Sequence, residues 1–512
     1  MSEYFRRLIK REPPPAAHIR FRCAKLHKVT DPGSNCKDNE YNTIYDVLKS
    51  RGWKETDVDT EWHIFWTDKD WIHSAFDKIH LDPHQHVNHF LNHQELTRKD
   101  LLVKNMKRMR RQCEKDGRRA EAARYDVLPV TYVVPQEYHM FVDEFKKYTG
   151  ATWIMKPVGR SQGAGIFLVN KLAQTQQWKP RQDWNGPAPA KSEDDDAVET
   201  YVAQKYVEAP LLIGGKKFDM RLYVCVTSYH PLTVYMHRGG FCRFSMSRYS
   251  SDMSNLTALG SHLTNVAVQK HSGKAAYKRT GAKWDVNNLK SYLLTTAGVE
   301  VTNRLFNDIE DIVIYSLLSV QKVMINDKHC FEMYGYDILI DVDYKPWLLE
   351  VNASPSLTAN TTADYEMKYG LLDDLLTLLD IEKYLTGNEL QIGGFDLLYK
   401  DGYRYAPPEG SVFTSYLGCY NNRLSQLQRL AKTRAWELRK EQQSSKEASS
   451  STIGEPQEEP VPKTERERRK SAVVEVADPG HPNPEDPRLD PGFNPKPRTV
   501  RPFPPPTAPA GK

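Results

Sequence analysis

The chain has 512 residues, 71 Lys plus Arg against 66 Asp plus Glu, a net charge of +5 and 39% hydrophobic residues. That is material for a large core spread over two or three packed subdomains, and with no run of about 18 apolar residues and no leader-like start, a soluble intracellular protein without a membrane span is expected. Seven scattered cysteines, odd in number and without a C-x-x-C pair, indicate neither a disulfide framework nor a zinc module and read as reduced thiols.

Residues 1–40 form a basic, Pro-containing N-terminal segment in which Phe21 and Leu26 are strand candidates. An N-terminal subdomain follows over 41–126. A helix from Thr43 (Ile44, Val47, Leu48) stops at Arg51-Gly52, and Trp62–Trp66 reads as a strand. Five histidines lie between His80 and His93; without cysteines or carboxylates converging on them, they read as structural or substrate-facing rather than as a metal site. Leu96 to Tyr125 reads as one long amphipathic helix, its apolar stripe (Leu102, Met106, Met109, Cys113) opposite Lys104, Lys107, Arg108, Arg110, Arg111 and Lys115. Such a face suits an acidic polymer. The absence of aromatic interleaving or a nucleic-acid module favours an acidic protein over nucleic acid.

A central subdomain is expected over 127–207, with a strand at Val127–Pro135 and a helix at Glu137–Tyr148. Its Gly-rich loop, Lys156-Pro-Val-Gly-Arg160-Ser-Gln162-Gly163-Ala-Gly165, lies between two β-type runs and so forms a strand-loop-strand flap, unlike a P-loop, which opens a helix. Lys156 ends the first strand, where an ammonium reaches phosphate, and the glycines let backbone amides approach. After a polar insertion at 179–199, a catalytic subdomain is expected over 208–390, an extension over 391–440 and a disordered tail over 441–512, the last 58 residues holding 15 of the 32 prolines.

Within the catalytic subdomain Lys217, Asp219 and Arg221 alternate with apolar residues, so one strand face carries plus, minus, plus. That face forms a mutually paired ladder or turns its cations to phosphate, with Asp219 holding a ribose or orienting a lysine. Farther on, Tyr334–Ile340 and Trp347–Val351 flank an Asp-x-Asp-x-Lys-Pro turn and predict an antiparallel hairpin. Glu350 and Asn352 share a face, and pairing brings Asp337 beside them, giving an oxygen-only ligand set that suits Mg²⁺ with bound phosphates. Glu350 interrupts an apolar run, where a carboxylate without a partner would cost several kcal/mol.

These residues together resemble the tubulin tyrosine ligase-like family of ATP-grasp amino-acid ligases. The resemblance rests on Trp-Ile-Met-Lys156-Pro with Arg160-Ser-Gln162-Gly163, Val-Ala-Gln204-Lys205-Tyr206-Val207, Lys217-Phe-Asp219-Met-Arg221, His-Leu-Thr264-Asn265, Tyr-Gly-Tyr-Asp337 and Leu-Leu-Glu350-Val-Asn352-Ala-Ser-Pro-Ser-Leu, in order over residues 40–425. Within the family the chain is most similar to the ninth vertebrate branch, a ciliary polyglutamylase, by His89-Phe-Leu-Asn-His93 and Gly393-Gly-Phe-Asp396. It departs from that branch in its Pro-rich tail and at Gly159 and Ala164, none of them a charged site residue.

The resemblance implies an α/β (α+β) ATP-grasp fold with antiparallel sheets enclosing the nucleotide. It implies ATP held by Lys156, Gln162, Gly163, Gln204, Lys205, Tyr206, Val207, Lys217, Asp219, Thr264 and Asn265, and Mg²⁺ held by Asp337, Glu350 and Asn352. Arg221 would neutralise phosphate, making Arg221, Glu350 and Lys156 the catalytic set, and Arg160, Arg243, Lys283 and Lys368 would hold the incoming amino acid. The implied reaction activates a glutamate carboxylate in a tubulin tail as an acyl phosphate and ligates free L-glutamate to it. The implied setting is cytoplasm and cytoskeleton, the ciliary or flagellar axoneme and basal body, with a ciliary targeting subunit as a further partner. A glycine- or tyrosine-adding ligase and a non-catalytic microtubule-binding protein are the alternatives; the cations at 243 and 283 argue against glycine, and the complete acidic set against a non-catalytic role. A kinase is set aside, since neither His-Arg-Asp nor Asp-Phe-Gly follows the Gly-rich loop.

Overall fold

The computed structural model describes residues 19–23, 43–58, 61–160, 163–178, 199–250, 262–264, 283–359, 361–383, 385–450 and 500–502. The chain divides into two compact units, the first comprising Met1–Glu382, Leu390–Asn421 and Arg498–Lys512, the second Lys383–Glu389 and Asn422–Pro497. In the second unit the described structure is dominated by the helix Arg423–Ser450, which runs across the boundary expected at 440.

Three sheets build the first unit. The first consists of β1 (Arg20–Cys23), β2 (Lys54–Glu55), β3 (Ile64–Trp66) and β4 (His86–Val87) in the order β2-β1-β3-β4, with every pairing parallel. The antiparallel expectation therefore holds for the other two sheets and not for this one, whose strands are joined by helical crossovers such as Lys69–Ala75. The second contains β5 (Thr131–Val134), β6 (Trp153–Pro157), β7 (Phe167–Val169) and β8 (Tyr201–Lys205) in the antiparallel order β5-β8-β6-β7.

The third and largest sheet holds β9 (Leu212–Ile213), β10 (Lys216–Tyr229), β11 (Leu232–Phe244), β12 (Trp284–Asp285), β13 (Glu332–Ile340), β14 (Pro346–Asn352), β15 (Gln391–Ile392), β16 (Phe395–Lys400), β17 (Tyr403–Tyr405) and β18 (Val500–Pro502). Its main path is β14-β13-β10-β11-β16-β17-β18. The segment after residue 390 thus contributes to the principal sheet instead of standing apart from it. Lys290, buried on the helix Val286–Thr296, ties this extension down by donating to the carbonyls of Ser415 (3.0 Å) and Leu417 (2.7 Å).

Alternation along β10 separates two faces. Met220, Leu222, Val224 and Val226 turn one way with Tyr334, Tyr336 and Ile338 of β13 and join the core. Against them packs the helix Gly298–Gln321, through Leu305, Phe306, Ile309, Val313, Leu317 and Val320. Each such side chain contributes about 1.5–3 kcal/mol by leaving water. The charged residues 217, 219 and 221 are left on the opposite face.

The long helix expected over 96–125 is three helices, Gln94–Thr97, Lys99–Lys115 and Arg119–Arg124. Gly117, at φ +74°, turns the chain after the second of these. Six of the seven cysteines fall among the described residues and all six are free thiols; Cys36 lies outside them. Among the described residues no helix is long and apolar enough to cross a membrane.

Candidate active site

Register assembles the site. On the polar face of the large sheet Asp219 is the cross-strand partner of Arg243, Arg221 the partner of Asp337, and Asp337 the partner of Glu350. Four strands, β11, β10, β13 and β14, thereby place five charged side chains side by side. A bulge between Asp337 and Ile338 shifts the β13/β14 register, and beyond it Leu349 and Glu350 both line the cavity described below.

The ladder along β10 is not mutually paired. Arg221 Nε and Nη2 fork onto Asp337 at 2.5 and 3.0 Å, and Arg243 forks onto Asp219 and also reaches Asp337 Oδ2 at 2.8 Å. Burial alone would raise the Asp337 carboxyl, but the two guanidinium groups hold it well below the usual carboxylate range. Glu350 moves the other way: burial and the neighbouring Asp337 charge raise it. Asn352 Nδ2 donates to the Gly335 carbonyl at 3.3 Å. A carboxylate raised by a second carboxylate, beside an amide, is a hard-oxygen set that fits a divalent cation such as Mg²⁺.

Gly335 is required by close approach. A Cβ there would stand 2.8 Å from Pro355 Cβ and 3.3 Å from Arg221 Cδ, so the Ser-Pro-Ser loop packs through this position onto Arg221. Gly335→Ala is expected to cost about 1–3 kcal/mol by overpacking. It should also depress activity beyond that, because the displaced groups are Arg221 and the hairpin. A urea melt and an activity assay on the folded fraction check both.

The second sheet supplies the facing wall. Ile154 pairs with Gln204 and Lys156 with Val202, so these side chains share a face, while Trp153, Met155, Tyr201 and Ala203 pack onto Phe141 and Phe145 of the helix Tyr138–Lys147. Lys156 Nζ donates to Gln204 Oε1 at 2.7 Å, and Gln204 Nε2 donates to Thr131 Oγ1 at 2.9 Å. Lys217 Nζ donates to Tyr206 Oη (2.9 Å) and the His262 carbonyl (3.0 Å). Burial lowers Lys156 to about 8 and Lys217 to about 7.

One cavity is lined by both walls. Ile154, Ile166, Leu263, Leu339 and Leu349 supply apolar surface, and Lys156, Gln204, Lys217, Asp219, Asp337 and Glu350 the polar part. Lys205, Tyr206, Val207, Thr264 and Arg243 also border it.

Of the remaining expected residues, Lys283 and Lys368 converge on Asp364 Oδ2 at 3.0 and 3.1 Å, near enough for the Arg221 charge to bear on Lys368. Gly163 adopts φ +81°, and Arg160 pairs with Glu199 at 2.8 Å. Gln162 and Asn265 lie outside the described residues.

Sequence reading missed Lys99, whose ammonium lies 4.0 Å from Glu350. It sits in a basic run with no pattern to set it apart. Of the histidines between 80 and 93, His89 Nδ1 and the buried Glu332 Oε1 are 3.0 Å apart, and burial pushes His93 down to about 4.

The profile of the tubulin-tyrosine ligase family matches residues 77–388. The chain is 46% identical over 420 residues to a rat protein named probable tubulin polyglutamylase TTLL9, covering 76% of this chain and 90% of that one. It is 46% identical over 390 residues to probable tubulin polyglutamylase ttll-9 of Caenorhabditis elegans, with 74% and 90% covered. Against probable alpha-tubulin polyglutamylase Ttll1 of Tetrahymena thermophila it is 42% identical over 379 residues, with 70% and 90% covered. The chain, with its polar sheet face turned to a lysine-bearing sheet across one cavity, therefore belongs to the tubulin-tyrosine ligase family.

Proposed function

We propose that the chain is an ATP- and Mg²⁺-dependent ligase that joins free L-glutamate to the side-chain carboxylate of a glutamate in an acidic tubulin tail. The observation that carries this reading is the meeting of two buried lysines, 156 and 217, with the Asp337–Glu350 carboxylate pair in one cavity with apolar walls. Relatives named tubulin polyglutamylases, of which the chain spans 90%, point to the same donor and acceptor.

A bare carboxylate does not react with an amine. ATP, as substrate, supplies the phosphoryl group that turns the acceptor carboxylate into an acyl phosphate, and Mg²⁺ offsets the charge gathered there. Ile154, Leu339 and Leu349 would flank the base, Lys156 and Lys217 the phosphates, and Asp337, Glu350 and Asn352 would hold the metal. Gln204 orients Lys156 through its 2.7 Å bond. Arg221, fixed by Asp337, keeps a permanent positive charge where negative charge accumulates. Lys283, Lys368 and Arg243 would receive the carboxylates of the incoming glutamate, whose amine forms the new C–N bond as phosphate departs with the C–O electrons.

The acidic tail has a surface to meet. On the helix Lys99–Lys115, Lys107 is paired with Glu137, Arg108 with the Ser319 carbonyl and Arg110 with Glu114 and Asp126, whereas Lys104, Arg111 and Lys115 are exposed and in no described ion pair. Reversing those three to Glu is expected to raise KM for microtubules about tenfold or more and to flatten its salt dependence, with KM for glutamate unchanged. Initial rates at two ionic strengths check this. The reading also carries the expectation that the enzyme works on the cytoskeleton of cilia, at axoneme and basal body, beside a targeting subunit.

The test incubates the purified chain with microtubules, ATP, Mg²⁺ and labelled glutamate, glycine or tyrosine in parallel, with Glu350→Gln as control. Glutamate incorporation that disappears with the substitution and with removal of the tubulin tails supports the reading. Incorporation of glycine or tyrosine instead reassigns the donor, and microtubule binding without incorporation of any donor, also in ciliary extract, sinks the ligase.

A further inference from the structure

Lys290 is a buried lysine that the ligase reaction does not use. On the helix Val286–Thr296 it is 2% exposed, and its ammonium stands over the faces of Phe306 and Phe413, 4.7 Å from each ring centre. Its described acceptors are the carbonyls of Ser415 and Leu417 and, at 3.2 Å, the Sγ of Cys419, none of them a carboxylate. Burial moves the amine below the usual lysine range, towards the form whose lone pair is a nucleophile.

The chain is shaped to bring the sulfur there. Gly418 has φ +68°, and a Cβ on it would meet Lys290 Cδ, Phe306 Cε1 and Val286 Cγ1, each at 3.2 Å. Its carbonyl accepts from Asn287 Nδ2 at 3.0 Å, and its N–H donates to the Arg238 carbonyl at 2.9 Å. Cys419 thus leaves a clamped turn, its S–H donating to the Ser415 carbonyl at 3.4 Å and its Sγ accepting from Lys290. Burial pushes the thiols of Cys23, Cys113, Cys225, Cys242 and Cys330 up, which makes them poor nucleophiles. Cys419 is instead half-buried beside Tyr420, which is 81% exposed, so a small oxidant reaches it from the surface.

We propose that Cys419 and Lys290 form a thiol-oxidation switch: a peroxide converts the Cys419 thiol to a sulfenic acid, and the Lys290 amine closes a sulfur–nitrogen cross-link that staples the C-terminal extension to the helix Val286–Thr296. In the first step sulfur attacks a peroxide oxygen, the O–O bond breaks and water leaves; sulfur is oxidised by two electrons and the peroxide reduced by two. In the second the deprotonated Nζ attacks sulfur, the S–N bond forms, and the S–O bond breaks, its hydroxyl leaving as water with a proton from the amine. Thiols reverse it: attack on sulfur returns the amine to Lys290 and leaves a mixed disulfide, which a second thiol reduces. The linked residues are 129 positions apart, a span over which a cross-link restricts the unfolded chain strongly. The stapled helix follows β12 and Lys283 directly.

The test treats the full chain with hydrogen peroxide, alkylates the remaining thiols and digests the protein without reductant. Mass spectrometry should find a linked pair of peptides holding Lys290 and Cys419, lighter by two hydrogens than the two reduced peptides together, and dithiothreitol should release it. The peroxide-treated chain should unfold at a higher urea midpoint. Cys419→Ser, which keeps a hydroxyl for the same contacts, should fold and lose that shift. Lys290→Arg keeps the cation and removes the nucleophile, so a diketone probe for sulfenic acid should label Cys419 severalfold more strongly in it than in wild type. Should Lys290→Arg not fold, the linked pair and the midpoint decide alone. Cys419 recovered as thiol or sulfinic acid with no linked pair overturns the switch, as does a linked pair that leaves the midpoint unchanged. A linked pair of any other mass overturns the sulfur–nitrogen step.

Discussion

Asp337→Asn is expected to cost about 3–5 kcal/mol of stability and at least about a hundredfold in activity. The carboxylate is the common acceptor of the Arg221 fork and of Arg243, and all three groups are buried or nearly so. Removing its charge leaves two guanidinium groups desolvated with Asp219 as the remaining carboxylate among their described ion-pair partners, and a buried cluster broken on one side loses more than an intact one contributes. The urea midpoint of the nucleotide-free protein measures the first loss, and glutamate incorporation by the fraction that stays folded measures the second. A variant with the wild-type midpoint would mean that the cluster is wetter than its register implies.

Glu350→Gln separates the two effects. Glu350 sits next to the same Asp337 yet gains little from it: burial and like charge raise its pKa, and its nearest cation, Lys99, is 4.0 Å away. A carboxyl raised in the folded state costs stability as pH climbs from its unfolded value of 4.5 through the higher folded one, and the penalty is fully present above the folded value. Glutamine removes it. The variant should therefore be as stable as wild type or slightly more so, the gain being small because the side chain keeps 31% of its exposure, while incorporation falls to background. A destabilised Glu350→Gln would show that the carboxylate is held by groups the described contacts do not include.

How much of this was legible in the sequence follows from the range of the interactions. The β13/β14 hairpin, the flap strands and the alternation of 217, 219 and 221 are local patterns with period two, and each stands where the pattern puts it. What those charges pair with is not local. Asp219 meets Arg243 and Arg221 meets Asp337 because strands far apart in the chain lie in register, and no spacing within a strand encodes that. Lys99 was hidden for the same reason, its partners being 61 and 251 residues away. The basic helix was read too long because the apolar stripe persists across Gly117, whose left-handed φ ends the helix whatever the pattern says.

The largest pH effect is expected at the two buried lysines. Lys217, brought down to about 7 by burial, and Lys156, brought down to about 8, have ordinary values of 10.5. A lysine lowered in the folded state carries a penalty that is fully present below its folded value, and stability recovers as pH rises from there towards 10.5, because the unfolded chain binds more protons across that window. Lys217→Met should thus stabilise the nucleotide-free protein most below pH 7, by on the order of a few kcal/mol less whatever is lost with the bonds to Tyr206 and the His262 carbonyl, and should lose the advantage towards pH 10. Nucleotide reverses the sign. Phosphate favours the charged lysines, so binding at pH 8 should take up protons, and ATP affinity should fall as pH rises past the folded values. Calorimetric titration at that pH in buffers of different ionisation enthalpy reads the uptake directly. Lys217→Met should abolish most of it and weaken ATP by about a hundredfold, the scale of a lost buried charge contact. Binding without proton uptake, or wild-type affinity in the variant, would remove Lys217 from the phosphate site.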